Sequence, residues 1–229
     1  MEMRLPESLR INKLPLEGLH SPEFARLADL AMEGSQGRLN LLKCSDYDSF
    51  PPDIVRMFTH VAARYLLPTV ELVECLKGMI GGLKAIEIGS GSGDLARFLG
   101  IPATDSYNQA WPEVRAYYKT IGQPTIRYGS NVERLDALEA VEKYKPDIVI
   151  GAWVTQWIDP NLPFPESGGS MYGVREDELL AKVPLYIVVG AEGVHGGKKI
   201  LRQPHKVINA ERIARSRRTD NRIWVWGTL

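Results

Sequence analysis

The chain has 229 residues, 28 basic and 28 acidic, so its formal charge is zero and it offers no bulk field to a nucleic acid or a membrane. Its 44% apolar and 24% charged fractions are ordinary globular values, which excludes a disordered chain and supplies a core that needs no disulfide or metal. Cys44 and Cys75 form no CxxC pair or regular ladder and read as free thiols of a reducing compartment.

The N-terminal MEMRLPESLRINKLP lacks the continuous apolar stretch of a secretory signal, and nowhere do roughly 18 apolar residues run together. A soluble cytoplasmic protein with no membrane contact is expected. An extension is read over residues 1–50, a packing appendage or lid with one helix, Pro22–Met32, whose Phe24, Leu27, Leu30 and Ala31 recur at helical spacing. The main domain is read over 51–229, with leading helices over 52–78. Pro51 and Pro52 start the first, whose face is expected to carry Ile54, Met57, Phe58, Val61 and Tyr65. Pro68 interrupts, and Thr69–Lys77 forms the second.

From Leu83 short apolar runs alternate with helical patterns. Strands are expected at Leu83–Ile88, Ile101–Asp105, Thr125–Tyr128, Asp147–Val154, Leu185–Gly190 and Arg222–Trp226. Helices are expected at Gly93–Leu99, Pro112–Ile121, Val132–Tyr144 and Glu176–Val183. The alternation predicts an α/β fold, a Rossmann-like, seven-stranded, mostly parallel sheet with helices on both faces and a helical N-terminal extension.

The informative motif is Glu87-Ile88-Gly89-Ser90-Gly91-Ser92-Gly93-Asp94, between a predicted strand and a predicted helix. Glycines there admit positive φ and close approach of a ligand, and the helix start offers unpaired N–H groups. Aligned as a dinucleotide fingerprint, Gly91, Gly93 and Ala96 leave two extra residues after the strand. The next acidic strand end, Asp105, then comes 14 positions after Gly91, against the about 20 of that fingerprint. Aligned as E-x-G-x-G-x-G, the motif has no gap. It then resembles motif I of the class I S-adenosylmethionine-dependent methyltransferases, with element order similar over residues 83–193.

That resemblance implies a methyltransferase with S-adenosylmethionine as cofactor. Glu87 would hold the methionine amino group, and Gly89, Gly91 and Gly93, with Ser90 among them, would line the methionine moiety. Asp105, followed by Ser106, would take the ribose hydroxyls. Asn131 and Val132, after the expected third strand, would flank the adenine, an edge where the family often has an aspartate.

In an open parallel sheet ligands gather beyond the carboxyl ends of the strands. The loops 151–157 and 190–196 are therefore expected to frame the acceptor. His195 or Glu192 would serve as a base, Trp153 and Trp157 as an aromatic wall for a sulfonium, and Gln156 as a further member of the set. Each has a packing alternative. The fourth strand is followed by no D/N/S-P-P-Y/F/W and the chain has no Pro-Cys nucleophile, so both standard DNA-base chemistries lose ground. Gly193–Lys199 fails as a P-loop, GSGSG is no nucleophile elbow, and His20, His60, His195 and His205 are too dispersed for a metal site.

Over residues 195–222 nine Lys/Arg face two acids, a local +7 that either contacts phosphates through 198–222 or is a solvated face. The sequence thus leads to methyl transfer onto an unidentified acceptor, small molecule or nucleic acid. A non-catalytic cofactor-binding accessory protein is the alternative, and a nicotinamide oxidoreductase a third.

Overall fold

The computed structural model describes residues 19–34, 37–162 and 168–228. Seven strands form one sheet: β1 Ala85–Ile88, β2 Ala103–Asp105, β3 Val132–Arg134, β4 Ile148–Ala152, β5 Leu185–Ala191, β6 Lys206–Asn209 and β7 Asn221–Gly227. Their spatial order is β3-β2-β1-β4-β5-β7-β6. The first five pair in parallel, and β7 runs antiparallel to both β5 and β6. The order on the β1 side matches the doubly wound Rossmann pattern, while the antiparallel β7 inserted before β6 departs from the all-parallel dinucleotide form. The fold is α/β and Rossmann-like.

Alternation along the central strands builds a core on each face. Ile148 and Ile150 of β4 and Ile187 and Val189 of β5 pack with Leu72, Val73, Leu76 and Ile80 of helix α4 (Val70–Ile80). Val149, Tyr186 and Val188 face the other way, toward Ala140 and Val141 of α6 (Ala137–Tyr144) and Leu179 of α7 (Glu176–Leu180). Strands buried on both faces are apolar throughout, which is why IVIGA and LYIVV read so clearly.

A third core lies in the N-terminal layer. Helices α1 (Pro22–Ala31), α2 (Cys44–Asp48) and α3 (Pro52–Val61) share Leu27, Ala31, Leu39, Tyr47, Phe50, Ile54, Phe58 and Leu67. Tyr47 and Phe50 on one side of residue 51 pack with Ile54 and Phe58 on the other. Residues 1–18 of that extension lie outside the described residues.

Several expectations need correction. Thr125–Tyr128 is not a strand; β3 is Val132–Arg134, and the helix after it starts at Ala137 rather than Val132. Asp136 sets that start: it accepts from the Leu138 and Glu139 N–H groups while Glu139 reaches back to the Asp136 N–H. Val61 and Leu30 point outward, 46% and 40% exposed, and Tyr65 lies beyond the end of α3. The strand β6 had no expectation, because Lys206-Val207-Ile208-Asn209 is an exposed edge with only Ile208 partly covered. Among the described residues no helix is long and apolar enough to cross a membrane.

Candidate functional site

The turn after β1 folds as its glycines allow. Gly89, Gly91 and Gly93 have φ of 56°, 56° and 72°, the left-handed region that side chains with a Cβ adopt at a cost. The chain then enters α5 (Asp94–Leu99), whose N-cap is Gly93. Neighbouring side chains close on all three positions. A Cβ on Gly89 would lie 2.8 Å from Val154 Cγ1, one on Gly91 3.2 Å from Ile126 Cδ1, and one on Gly93 2.6 Å from Val132 Cγ2.

Carboxylates fix the turn from three sides. Glu87, 2% exposed, accepts from the Ala96 N–H at 2.8 Å. Its burial raises its pKa from 4.5 to about 8, outweighing that hydrogen bond. Asp105 accepts from the Gly91 N–H at 2.9 Å through one oxygen and from the Tyr107 N–H at 2.8 Å through the other. Burial raises its pKa and these bonds oppose the rise. A carboxylate has about four lone-pair sites, so Asp105 retains capacity for further donors. Asp94 is buried against the Arg64 guanidinium at 3.0 Å and also accepts from the Leu39 N–H and the Ser92 hydroxyl. The Ser90 hydroxyl is buried and has no hydrogen-bond partner among the described residues.

Two cavities meet here. One of about 680 Å³ opens beyond the carboxyl ends of β1, β2, β4 and β5, at the β1/β4 point where the strand order reverses. Asp105, Ser106 and residues 135–138 form one wall; Trp153, Gln156, His195 and Arg217 form another. A second, of about 60 Å³, lies on the glycine turn itself and touches Glu87, Ser90, Gly91, Asp94 and Arg64. Tyr65, Gly89, Ile126 and Ala152 line both, so Ile126 stands in the partition between them.

Asn131 and Val132 touch the glycine turn at Gly93 but line neither cavity. They lie at the start of β3, where the Asn131 amide donates to the Gly93 carbonyl and Val132 packs with Ala96 and Ala103. With β3 at Val132–Arg134, the residues leaving its carboxyl end are Leu135 and Asp136, both in the cavity wall. The capping pair Asp136…Glu139 was the sequence signal that would have located that end.

The candidate acceptor residues separate. Glu192 faces solvent, its carboxylate 3.9 Å from Arg222, and it does not line the cavity. His195 does line it and is buried, with Nδ1 at 3.1 Å from the Ala191 nitrogen and 3.2 Å from its carbonyl oxygen. Burial, then the nearby Lys198 charge, lowers its pKa from 6.5 to about 3. A base with so weak a conjugate affinity for protons is poorly matched to neutral pH. Trp153, at φ 58°, stacks on Tyr65 and meets the edge of His195. Its ring N–H is buried without a partner among the described residues. The Gln156 side chain ties the loops, donating to the Gly168 carbonyl and accepting from the Lys199 N–H. Trp157 lines the cavity and carries the Arg175 guanidinium over its ring.

The basic segment 198–222 is not one face. Lys198 is buried against Glu176, Arg215 pairs with Asp48, Arg218 with Asp220 and Arg222 with Glu211. Arg217 turns into the cavity. Lys199, Arg202, Lys206 and Arg212 remain as exposed cations. Sequence reasoning missed Tyr65, Glu176, Lys198 and Arg217 as neighbours of the site, since only the folded chain brings residues 65 and 217 together. Among the described residues no group of three or more His, Cys, Asp or Glu could hold a metal.

No family model and no curated protein matches the sequence. Among solved structures the chain is similar to the N-terminal domain of human METTL16 in complex with S-adenosylhomocysteine: 15% identity over 94% of this chain and 97% of that one, TM-score 0.38. It is also similar to the Pyrococcus abyssi tRNA (uracil-54, C5)-methyltransferase in complex with S-adenosylhomocysteine, at 13% identity over 68% of this chain, TM-score 0.34. The match spans 37% of that enzyme's length. A third is the precorrin 8W decarboxylase of Methanobacterium thermoautotrophicum, at 16% identity over 70% and 91% of the two chains, TM-score 0.34. Such scores are low, and the fold assignment above stands on the strand order alone.

Proposed function

We propose that this chain is an S-adenosylmethionine-dependent methyltransferase with a small acceptor. The observation that carries the proposal is the pair of adjoining cavities on the glycine turn at the β1/β4 switch point. The smaller has an acid, Glu87, for an ammonium group and an orphaned donor, the Ser90 hydroxyl, for a carboxylate. The larger has Asp105 and Ser106 for ribose hydroxyls and Leu135 and Asp136 for an adenine edge. Glu87, Ser90, Asp105 and Asp136 thus fit the amino-acid, sugar and base portions of this cofactor in chain order, with Ile126 displaced from the partition.

When bound, the cofactor supplies a methyl group on an electrophilic sulfonium. The work left to the protein is alignment and exclusion of water, which proximity rewards more than a dedicated base. Trp153, stacked on Tyr65 and braced by His195, fixes an aromatic wall toward the larger cavity. His195, neutral near pH 7, orients that wall and does not accept the acceptor's proton. With four basic residues of the 198–222 segment held in ion pairs, a small molecule is favoured over a nucleic acid.

The test is calorimetry with S-adenosylhomocysteine, then incorporation of labelled methyl from the cofactor into candidate acceptors. Wild type is expected to bind, and Gly91→Val to lose binding through a strained φ and a side chain pressed on Ile126. Absence of binding by wild type, unaltered affinity in Gly91→Val, or selective binding of NAD(H) overturns the proposal. Binding without transfer to any acceptor would make the chain an accessory protein.

A further inference from the structure

Arg217 is an oddity of the larger cavity. Its Nε and Nη2 are buried and have no hydrogen-bond partner among the described residues. Its guanidinium carbon lies 4.6 Å from the centroid of the Tyr65 ring, and Tyr118 and His60 are its other polar neighbours. Among the described residues no carboxylate is paired with it, whereas Arg64, Arg215, Arg218 and Arg222 each have one. Burial lowers its pKa, with only tyrosines opposing. Burying guanidinium atoms without a counter-charge is unfavourable, and buried polar groups in proteins are nearly always satisfied.

A second orphan lies on the same wall. Trp153 stacks on the ring that Arg217 covers, with centroids 6.0 Å apart, and its buried N–H also lacks an acceptor. The unsatisfied atoms of this wall that line the cavity, Arg217 Nε and Nη2 and Trp153 Nε1, are all donors; His60 Nδ1, also unpartnered among the described residues, lies off the cavity. What completes it is an acceptor-only group of negative charge, beside aromatic rings that suit a flat body.

We propose that Arg217, with the Trp153 N–H, receives the anionic group of the acceptor, a carboxylate or phosphate monoester on a small aromatic body. The inference rests on the methyltransferase reading only for the word acceptor; the anion site stands on its own geometry. The planar guanidinium fork matches either oxyanion, and the Trp153–Tyr65 stack borders the attached ring. The site turns the acceptor so that its far end, not its charged end, meets the glycine turn.

The experiment titrates benzoate, phenyl phosphate and neutral benzamide into wild type, Arg217→Met and Arg217→Lys, followed by ligand-observed NMR and by Tm. Wild type is expected to prefer one of the anions over benzamide, and the better anion identifies the oxyanion. Arg217→Met should weaken that anion about 10- to 100-fold, the worth of one or two charged hydrogen bonds, and leave benzamide unchanged. Arg217→Lys, which keeps charge without the fork, should fall between. Without ligand, Arg217→Met should melt no lower than wild type, because it removes an uncompensated buried charge. Equal affinity for anions and benzamide in wild type, or equal anion affinity in all three proteins, overturns the inference. If Arg217→Met does not fold, Arg217 is a structural cation, and undiminished anion affinity in Arg217→Lys then sinks the site. S-adenosylhomocysteine affinity, measured in parallel, should be the same in wild type and Arg217→Lys; its absence in wild type would remove the methyltransferase reading without touching the anion preference.

Discussion

Replacing Glu176 with Gln isolates the buried cation at the edge of the cavity. Lys198 Nζ lies 2.6 Å from Glu176 Oε1 with both side chains 4% exposed, and the Tyr186 hydroxyl donates to the same oxygen at 2.9 Å. At an effective dielectric of about 20, unit charges 2.6 Å apart attract by about 6 kcal/mol before desolvation is counted. Removing one partner of such a pair costs about 3–5 kcal/mol, because the other charge stays buried. That is a large share of the roughly 5–15 kcal/mol that holds a domain folded. Gln keeps an oxygen for Tyr186, so the loss measured is that of the charge. Urea unfolding followed by tryptophan fluorescence reads it directly. Burial holds the Lys198 pKa below its usual 10.5, with Glu176 opposing the fall. Between the folded and unfolded values the unfolded chain binds more protons, so stability rises with pH through that window. Without Glu176 the window widens downward, and the variant should regain part of its loss as pH climbs from neutral toward 10.5. Adding Lys198→Met should also recover stability, since neither charge then remains. A Glu176→Gln variant within about 1 kcal/mol of wild type, with a difference independent of pH, would refute the reasoning.

His195, with its pKa near 3, should show no imidazole titration by NMR between about pH 4.5 and 8. Because its folded pKa lies below the unfolded 6.5, its contribution is complete above 6.5 and is lost as pH falls toward 3, a decline that His195→Phe should remove. Glu87 behaves oppositely: with a folded pKa near 8, its contribution is complete below 4.5 and lost as pH rises through 8. Glu87→Gln should therefore remove the fall in stability between pH 4.5 and 8 in chemical denaturation. Ile126→Ala, which opens the partition between the two cavities, should tighten S-adenosylhomocysteine binding in calorimetry; unchanged or weaker affinity would mean that Ile126 does not obstruct the site.

The elements that were legible are those whose residues carry the signal locally. Apolar IVIGA and LYIVV declare strands buried on both faces, and the gapless Glu87…Gly93 turn declares a ligand-facing bend. What misled was the stretch 125–134. Thr125, Ile126 and Tyr128 have the β-branched and aromatic character of a strand, yet they lie across the glycine turn, where the Gln109 side chain holds the Ile126 N–H at 2.9 Å and Tyr128 stacks on Tyr107. Val132-Glu133-Arg134, polar and short, is the true edge strand. That shift of one element puts Leu135 and Asp136, rather than Asn131, in the wall of the larger cavity. The Tyr65–Trp153–Arg217 wall of the larger cavity was illegible for another reason: these residues belong to the leading segment, the β4 loop and the approach to β7, and no spacing rule joins them.

The N-terminal layer takes on a role that its own sequence does not suggest. The Asp94 carboxylate, at the first residue of α5, binds the Leu39 N–H, the Arg64 Nε and the Ser92 hydroxyl, while Arg97 donates to the Leu39 carbonyl at 2.5 Å. Arg64 in turn donates to the Gly37 and Ala62 carbonyls. The glycine turn is thus clamped from outside the sheet by residues 37–64, and Tyr65 follows directly as a residue lining both cavities. A layer that merely packed on the domain would present apolar groups to it. One that spends a buried Arg–Asp pair and two main-chain bonds on the first turn of α5 instead sets the geometry of the glycine turn, and Tyr65, one residue further on, ties the wall of the larger cavity to the same support.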